Sequence, residues 1–187
     1  MKFSDRITGM QASPIRKLVP YANEAKAKGK KVYHLNIGQP DIATPAGFFE
    51  AVRDFREDVL AYSTSSGSNE LIDAIRDYYK GYGIDYEREH IIITNGGSEA
   101  LLFAMIALCD PGDEILVPEP FYTNYNGFGQ AVNVAIKPIT TRAECGFHLP
   151  AVEEIEKVIT PKTRAILMSN PGNPTGVVYT DAEIKML

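Results

Sequence analysis

One segment of the chain has the residue types that could bind a phosphate, namely residues 94–99 (Thr-Asn-Gly-Gly-Ser-Glu). Two glycines let a ligand approach the backbone closely. Ser98 then opens a predicted helix, whose free N–H groups and positive dipole end suit an anion. The same residues could instead form a tight strand-to-helix turn in which Ser98 only caps the helix. The segment is neither G-x-G-x-x-G nor G-x-x-x-x-G-K-[ST], which disfavours dinucleotide and P-loop sites.

Two further segments could contribute to the same site. Residues 169–176 (Ser-Asn-Pro-Gly-Asn-Pro-Thr-Gly) follow a predicted strand, and two Asn-Pro pairs around a glycine hold the backbone in a defined non-helical path. Residues 117–122 (Val-Pro-Glu-Pro-Phe-Tyr) also follow a strand and end at Tyr122. Ligands of α/β sheets bind at the carboxyl ends of strands. Either segment could also be an ordinary turn, and a tyrosine in this position more often packs than stacks on a ligand.

The elements that position these segments alternate along the chain. Apolar runs predict strands at 91–94, 114–117, 132–137 and 165–169, and helical spacing predicts helices at 98–108 and 150–160. Continuous apolar strands separated by helices predict an α/β fold, with a mostly parallel sheet between two helical layers.

The first part of the chain is predicted to be helical. One helix is expected to begin at Ser13-Pro14, with Pro20 kinking or shortening it, and a second to run from Thr44-Pro45 to about Val59. A third carries a face of leucine, isoleucine and tyrosine residues and is expected to stop at Gly83.

Composition excludes several classes of protein. The hydrophobic fraction of 44% and charged fraction of 23% are those of a globular protein. No apolar run has the roughly 20 residues of a membrane helix, and the first residues have no secretory h-region. Cys109 and Cys145 are too few for a disulfide framework and are not spaced as a zinc site. We therefore expect a cytoplasmic protein without membrane partners or bound metal.

Charge is distributed unevenly. Residues 1–47 have eight basic and three acidic side chains, whereas the remainder has 11 basic and 21 acidic ones. A basic arm could bind nucleic acid. However, its lysines cluster at a predicted helix C-terminus, where they offset the helix dipole, and they are not interleaved with aromatic residues. We therefore expect no nucleic-acid partner.

Taken together, the chain resembles the class I/II aminotransferases, fold-type I enzymes that use pyridoxal 5′-phosphate (PLP) and are related to aspartate aminotransferase. The resemblance rests on seven blocks in the right order, and the Asn-Pro-x-Asn-Pro-Thr-Gly block is highly specific. The blocks are residues 36–41, 44–45, 62–67, 96–101, 110–114, 118–122 and 170–176.

The resemblance implies a role for individual residues. Gly96, Gly97 and Ser98 would form the phosphate cup, and Tyr122 would stack on the pyridine ring. Asn173 would hydrogen-bond the phenolic oxygen of that ring and contribute to the substrate site.

Other implied roles concern the substrate and the dimer. Gly38 would lie near the substrate carboxylate, and Tyr62 would reach the cofactor of the second subunit in a homodimer. Pro120 and Pro174 match positions that are often cis, and we expect a cis bond before Pro174.

The resemblance also implies the domain organisation. Residues 1–44 would form an N-terminal arm and part of a small domain, and residues 45–187 the first part of the large PLP-binding domain. The capping box at Thr180–Glu183 predicts that a helix begins only a few residues before Leu187. Because so short a helix is only marginally stable in water, we expect the chain to be the N-terminal portion of a longer protein.

The implied reaction transfers an amino group from an amino acid, with aspartate or an aromatic amino acid favoured by analogy, to a 2-oxo acid. The family's Schiff-base lysine follows the Asn-Pro-Thr-Gly block and has no counterpart here, since Lys185 is expected to be a surface residue. The 187 residues alone are therefore expected to contain no catalytic residue and to be inactive.

Alternatives to this reaction remain. β-Carbon–sulfur lyases and aminocyclopropane-carboxylate synthases share these motifs, and nothing in the sequence separates them. A transcription regulator with an aminotransferase-like domain would need a helix-turn-helix unit, for which about 35 residues with one helix are too few.

Overall fold

The computed structural model describes residues 2–10, 16–36 and 38–187. Its secondary structure alternates helices and strands from residue 97 onward, as predicted. The helices are α1 (Asp5–Thr8), α2 (Val19–Ala27), α3 (Ala46–Asp54), α4 (Asn69–Lys80), α5 (Gly97–Leu108), α6 (Asn124–Val132), α7 (Val152–Glu156) and α8 (Asp181–Met186). The strands are β1 (Glu114–Glu119), β2 (Ala135–Thr140) and β3 (Thr163–Ile166).

The three strands form one parallel sheet in the order β2-β1-β3. Side chains of the central strand β1 alternate between its two faces. Ile115 and Val117 pack with Met105 of α5 and Tyr125 of α6. Leu116 faces the other side, in a cluster that includes residues of α7 and α8. Helices therefore cover both faces, which confirms the predicted three-layer α/β fold.

Several predicted element boundaries are wrong. The β-branched run at 91–94 is not a strand, because Ile93 donates one backbone hydrogen bond to Ser66 (2.8 Å) instead of joining a ladder. The predicted strand at 132–137 begins only at Ala135, because Val132 ends the unpredicted helix α6 and Asn133 adopts a left-handed conformation.

Other elements are shorter or shifted. Helix α3 ends at Asp54 rather than Val59, and α4 ends at Lys80, before Gly83. Helix α7 occupies only part of 150–160, and β3 begins and ends earlier than predicted. Ser13 and Pro14 lie outside the described residues. Helix α2 begins at Val19 with Pro20 in its first turn, the position where proline is tolerated.

An ion pair connects the start of β1 to β3, and a capping box begins α8. Asp113 precedes β1 and accepts hydrogen bonds from Arg164 of β3 (2.8 Å) and from the Asp110 backbone (2.9 Å). These two contacts, the Arg164 one first, lower the pKa of the Asp113 carboxyl. The capping box predicted at Thr180 and Glu183 is present at the start of α8.

The Glu183 carboxylate also joins α8 to a neighbouring loop. It accepts hydrogen bonds from the Thr180 N–H (2.7 Å), the Leu149 N–H (2.8 Å) and His148 Nδ1 (3.0 Å). Burial raises the pKa of this carboxyl, but the hydrogen bonds outweigh burial and lower the pKa from 4.5 to about 2. The charged form is therefore the one that stabilises the fold.

We expect Glu183→Gln to reduce the free energy of unfolding by about 1–3 kcal/mol at neutral pH, because four donors, the Thr180 hydroxyl among them, lose a charged acceptor. Since the folded-state pKa is depressed, this contribution is present above pH 4.5 and is lost as the pH falls toward 2. Thermal unfolding of wild type and variant should therefore differ most near neutral pH and converge in acid. Glu153→Gln, at an exposed carboxylate of α7, is the control, and a pH-independent difference would contradict the assignment.

Candidate functional site

The carboxyl ends of β1 and β3 lie side by side, because the two strands are parallel neighbours. The segment after β1 leads to Tyr122 and the segment after β3 leads to Asn173. Both residues line one cavity of about 1200 Å³. Gly38 lines it as well, so the structure brings three of the sequence-predicted site residues together.

Tyr122 is held in place by its neighbours. The side-chain amide of Asn124 donates a hydrogen bond to the Tyr122 hydroxyl (2.6 Å), and Tyr125 contacts the ring edge-on at a centroid distance of 5.5 Å. Tyr125 is buried in the core, and burial raises its pKa, so its hydroxyl stays protonated. Tyr122 is thus a half-buried aromatic ring of fixed orientation on the cavity wall.

The Asn-Pro loop after β3 is closed by its own hydrogen bonds. The Gly172 N–H donates to the Val177 carbonyl and the Gly176 N–H to the Gly172 carbonyl, both at 2.7 Å. The peptide bonds before Pro120, Pro171 and Pro174 are cis, which confirms the expectation for Pro174.

The two asparagines of this loop differ. Asn170 accepts a hydrogen bond from the Tyr179 backbone (3.2 Å), so its side chain supports the loop. Asn173 is exposed, and no hydrogen bond of its carboxamide is found within the described part of the chain. Asn173 is therefore the asparagine whose amide can serve a ligand.

The glycine segment forms the start of α5. Gly96 has a φ of +80°, a conformation that favours glycine, and Gly97 is the first helical residue. Gly97 and Ser98 are exposed, and their N–H groups have no acceptor among residues 2–10, 16–36 and 38–187. A Cβ built on Gly97 would meet no atom within 4 Å. The backbone at this helix start is open to a ligand.

The glycine segment does not line the cavity, judged from the described residues around it. Its connection to the other segments is indirect. Leu101, in the first turns of α5, packs against the same core cluster as Phe121 and Tyr122. Tyr62 is also absent from the described lining and is fully exposed. Lys185 is exposed on α8, as expected.

One cavity residue has a polar atom without a partner. The Thr123 hydroxyl is buried, does not cap α6 and has no hydrogen bond within the ranges that the structure describes. Such orphaned groups are uncommon in folded proteins. The ring of Tyr122 and the amide of Asn173 on the cavity wall fit an aromatic ring. The open N–H groups at Gly97 fit a phosphate, although residues 94–99 are not part of the described cavity lining.

Sequence reasoning missed several cavity residues. Arg16, Thr123 and Asn124 line the cavity but belong to no recognised motif. Asn124 could have been suspected from its position two residues after Tyr122. For Arg16 the sequence offers no signal, because its place in the wall depends on how the N-terminal segment folds back.

Comparisons with known proteins point to one family. The model of the family described as aminotransferase class I and II matches residues 30–187. An aspartate aminotransferase of Rhizobium meliloti is 34% identical over 98% of this chain and 45% of its own length. An asparagine–oxo-acid transaminase of Streptococcus mutans is 33% identical over 100% of this chain and 48% of its own.

Solved structures agree with the sequence comparison. An alanine aminotransferase from Pyrococcus furiosus has a TM-score of 0.88 and 34% identity, and the match covers 99% of this chain and 48% of that one. The aspartate aminotransferase from Rhizobium meliloti has a TM-score of 0.89 and 32% identity, covering 100% and 47%. The chain spans somewhat less than half the length of these relatives.

Proposed function

Because the chain belongs to the class I and II aminotransferase family, we propose that the protein carrying it is a PLP-dependent aminotransferase. It would transfer an amino group from an amino acid, aspartate or an aromatic one, to a 2-oxo acid. The observation that carries this proposal is the meeting of Tyr122 and Asn173 on one cavity at the carboxyl edge of the sheet. The names of the relatives, which act on aspartate, asparagine and alanine, support an amino-acid substrate.

Each site residue has a task in holding the cofactor. The N–H groups of Gly97 and Ser98 would bind the phosphate at the positive end of the α5 dipole, with Gly96 shaping the turn. Tyr122 would pack on the ring, and the Asn173 amide would donate to its phenolic oxygen. PLP, when bound, supplies an electron-withdrawing ring beside the Cα of the substrate.

Substrate binding and proton transfer involve other groups. The backbone at Gly38, on the cavity wall, would lie near the substrate carboxylate. The proton-transferring lysine that the resemblance implies has no counterpart among these 187 residues. The 187 residues by themselves are therefore expected to lack turnover.

We further propose the organisation implied by the resemblance: residues 1–44 as an arm and part of a small domain, and residues 45–187 as part of the large domain. The protein would be a cytoplasmic homodimer in which Tyr62 reaches the cofactor of the second subunit. Tyr62 is fully exposed, and apolar side chains on α3, such as Phe48, are exposed as well, which supports the proposal that a second subunit covers part of this surface. No helix in the described ranges is long and apolar enough to cross a membrane.

The proposal is tested by recording the absorption spectrum of the protein that contains this chain and by assaying its aminotransferase activity. We expect an absorption band from bound PLP, and formation of glutamate from 2-oxoglutarate when an amino acid is the donor. Asn173→Ala should reduce this turnover. Release of pyruvate from a cysteine conjugate without amino transfer would favour the β-lyase alternative, and an aminocyclopropane-carboxylate product would favour the synthase. Absence of any PLP band would contradict the cofactor assignment.

A further inference from the structure

Asn124 is the first residue of α6, yet the helix itself makes no use of its side chain. The residue that precedes the helix is Thr123, and no side-chain hydrogen bond caps this end. The turn into the helix is closed by the backbone, where the Tyr125 N–H donates to the Tyr122 carbonyl at 3.0 Å. Asparagine is also a poor helix former. Formation of α6 therefore gives no reason for an asparagine at this position.

The Asn124 carboxamide serves the neighbouring tyrosine instead. It donates a hydrogen bond of 2.6 Å to the Tyr122 hydroxyl, which is its one hydrogen-bonding partner among the residues that the structure describes. Both side chains are half-buried and both line the cavity. Because partial burial excludes some of the competing water, this hydrogen bond is stronger than one on the open surface.

This hydrogen bond supplies a second point of attachment for the Tyr122 ring. The torsion that turns a tyrosine ring about its Cβ–Cγ bond has broad preferences, so the surroundings set the orientation of the ring. Tyr125 is buried and contacts the ring edge-on at a centroid distance of 5.5 Å. Asn124 then holds the opposite end of the side chain, at the hydroxyl. A ring fixed at two points loses less freedom when a ligand stacks on it.

On the basis of the proposed function, in which Tyr122 packs on the ring of PLP, we propose that Asn124 is a positioning residue for the cofactor. It acts through the Tyr122 hydroxyl and holds the tyrosine ring in the orientation that the cofactor needs. Asn124 itself neither contacts the cofactor nor transfers a proton.

The experiment is a double-mutant cycle in the full protein that contains this chain, with PLP affinity of the apoprotein as the readout. Asn124→Leu keeps the size of the side chain, removes its hydrogen bonds and does not weaken the helix, since leucine is a good helix former. It should raise the dissociation constant of PLP about three- to tenfold. In a Tyr122→Phe background, which lacks the hydroxyl, Asn124→Leu should have no further effect.

The matched control is Asn69→Leu. Asn69 is likewise the first residue of a helix, α4, and it is exposed and not part of the described cavity lining. Its variant should bind PLP with wild-type affinity. The circular dichroism band of bound PLP, which reports the orientation of the cofactor in the protein, should change in Asn124→Leu and not in Asn69→Leu. An effect of Asn124→Leu that is equally large with phenylalanine at position 122 would overturn the proposal, as would wild-type affinity of the single variant.

A second measurement tests the positioning role without the cofactor. In apoprotein labelled with tyrosine that is ¹³C-enriched at the ring Cε atoms, the Tyr122 signal is identified by its loss in Tyr122→Phe. Asn124→Leu should move this signal toward the shift of free tyrosine, and Asn69→Leu should leave it in place. An unmoved Tyr122 signal would overturn the proposal. If the wild type fails to bind PLP, the proposed function fails, and the NMR result still decides whether Asn124 orients Tyr122.

Discussion

Replacing Gly97 by valine is expected to weaken PLP binding about 10- to 100-fold while leaving the unfolding temperature nearly unchanged. Gly97 has no neighbour within 4 Å of a built Cβ, so the chain itself has room for a side chain there. The added atoms would instead occupy the space in front of the first N–H groups of α5. A phosphate would then lose hydrogen bonds that involve a charged acceptor, each contributing about 1.5–3 kcal/mol.

The control for this variant is Gly47→Val. Gly47 also lies in the first turn of a helix, α3, and also has no atom within 4 Å of a built Cβ. Unlike Gly97, Gly47 is not part of the proposed cofactor site. Titration of the apoprotein with PLP, followed by absorbance, should give wild-type affinity for Gly47→Val. Equal affinities for both variants would show that the start of α5 does not bind the phosphate.

Gly129→Ala is expected to destabilise the fold by about 1–3 kcal/mol. Gly129 is buried in α6 against the start of β2, and a Cβ there would lie 2.6 Å from the Val134 carbonyl oxygen and 3.0 Å from Ile136 Cγ1. The helix cannot easily move away, because the Val134 N–H donates to the Gly129 carbonyl at 2.8 Å. Thermal unfolding should therefore show a midpoint several degrees below that of the wild type.

The same helix provides the matched control. Gly127 lies two residues before Gly129, and a Cβ built on it meets nothing within 4 Å. Gly127→Ala should leave stability unchanged or raise it by up to about 1 kcal/mol, since alanine is the better helix former. If both variants unfolded at the same temperature, close packing of α6 on β2 would not limit the stability of this region.

Local sequence patterns correctly predicted two kinds of element. One kind is stabilised by contacts between residues a few positions apart, and the other is a strand buried on both faces. The continuous apolar run of β1 is the fully covered central strand, and the capping box at Thr180 and Glu183 begins α8. Helix α6 escaped prediction because its sequence (Asn-Tyr-Asn-Gly-Phe-Gly-Gln-Ala-Val) has poor helix formers. Packing of Tyr125 and Gly129 against the sheet stabilises it instead. The run at 91–94 has β propensity, but a strand also needs a partner.

The sequence by itself determined the family, the α/β class and the residue types that could hold a phosphorylated pyridine. Only the tertiary structure decided which of those residues meet. Tyr122 and Asn173 share a cavity because β1 and β3 pair in parallel. Arg16 joins them because the N-terminal segment returns to that edge of the sheet. Caps and turns arise from contacts a few residues apart, whereas strand order and the cavity arise from burial between distant segments, which no local pattern encodes.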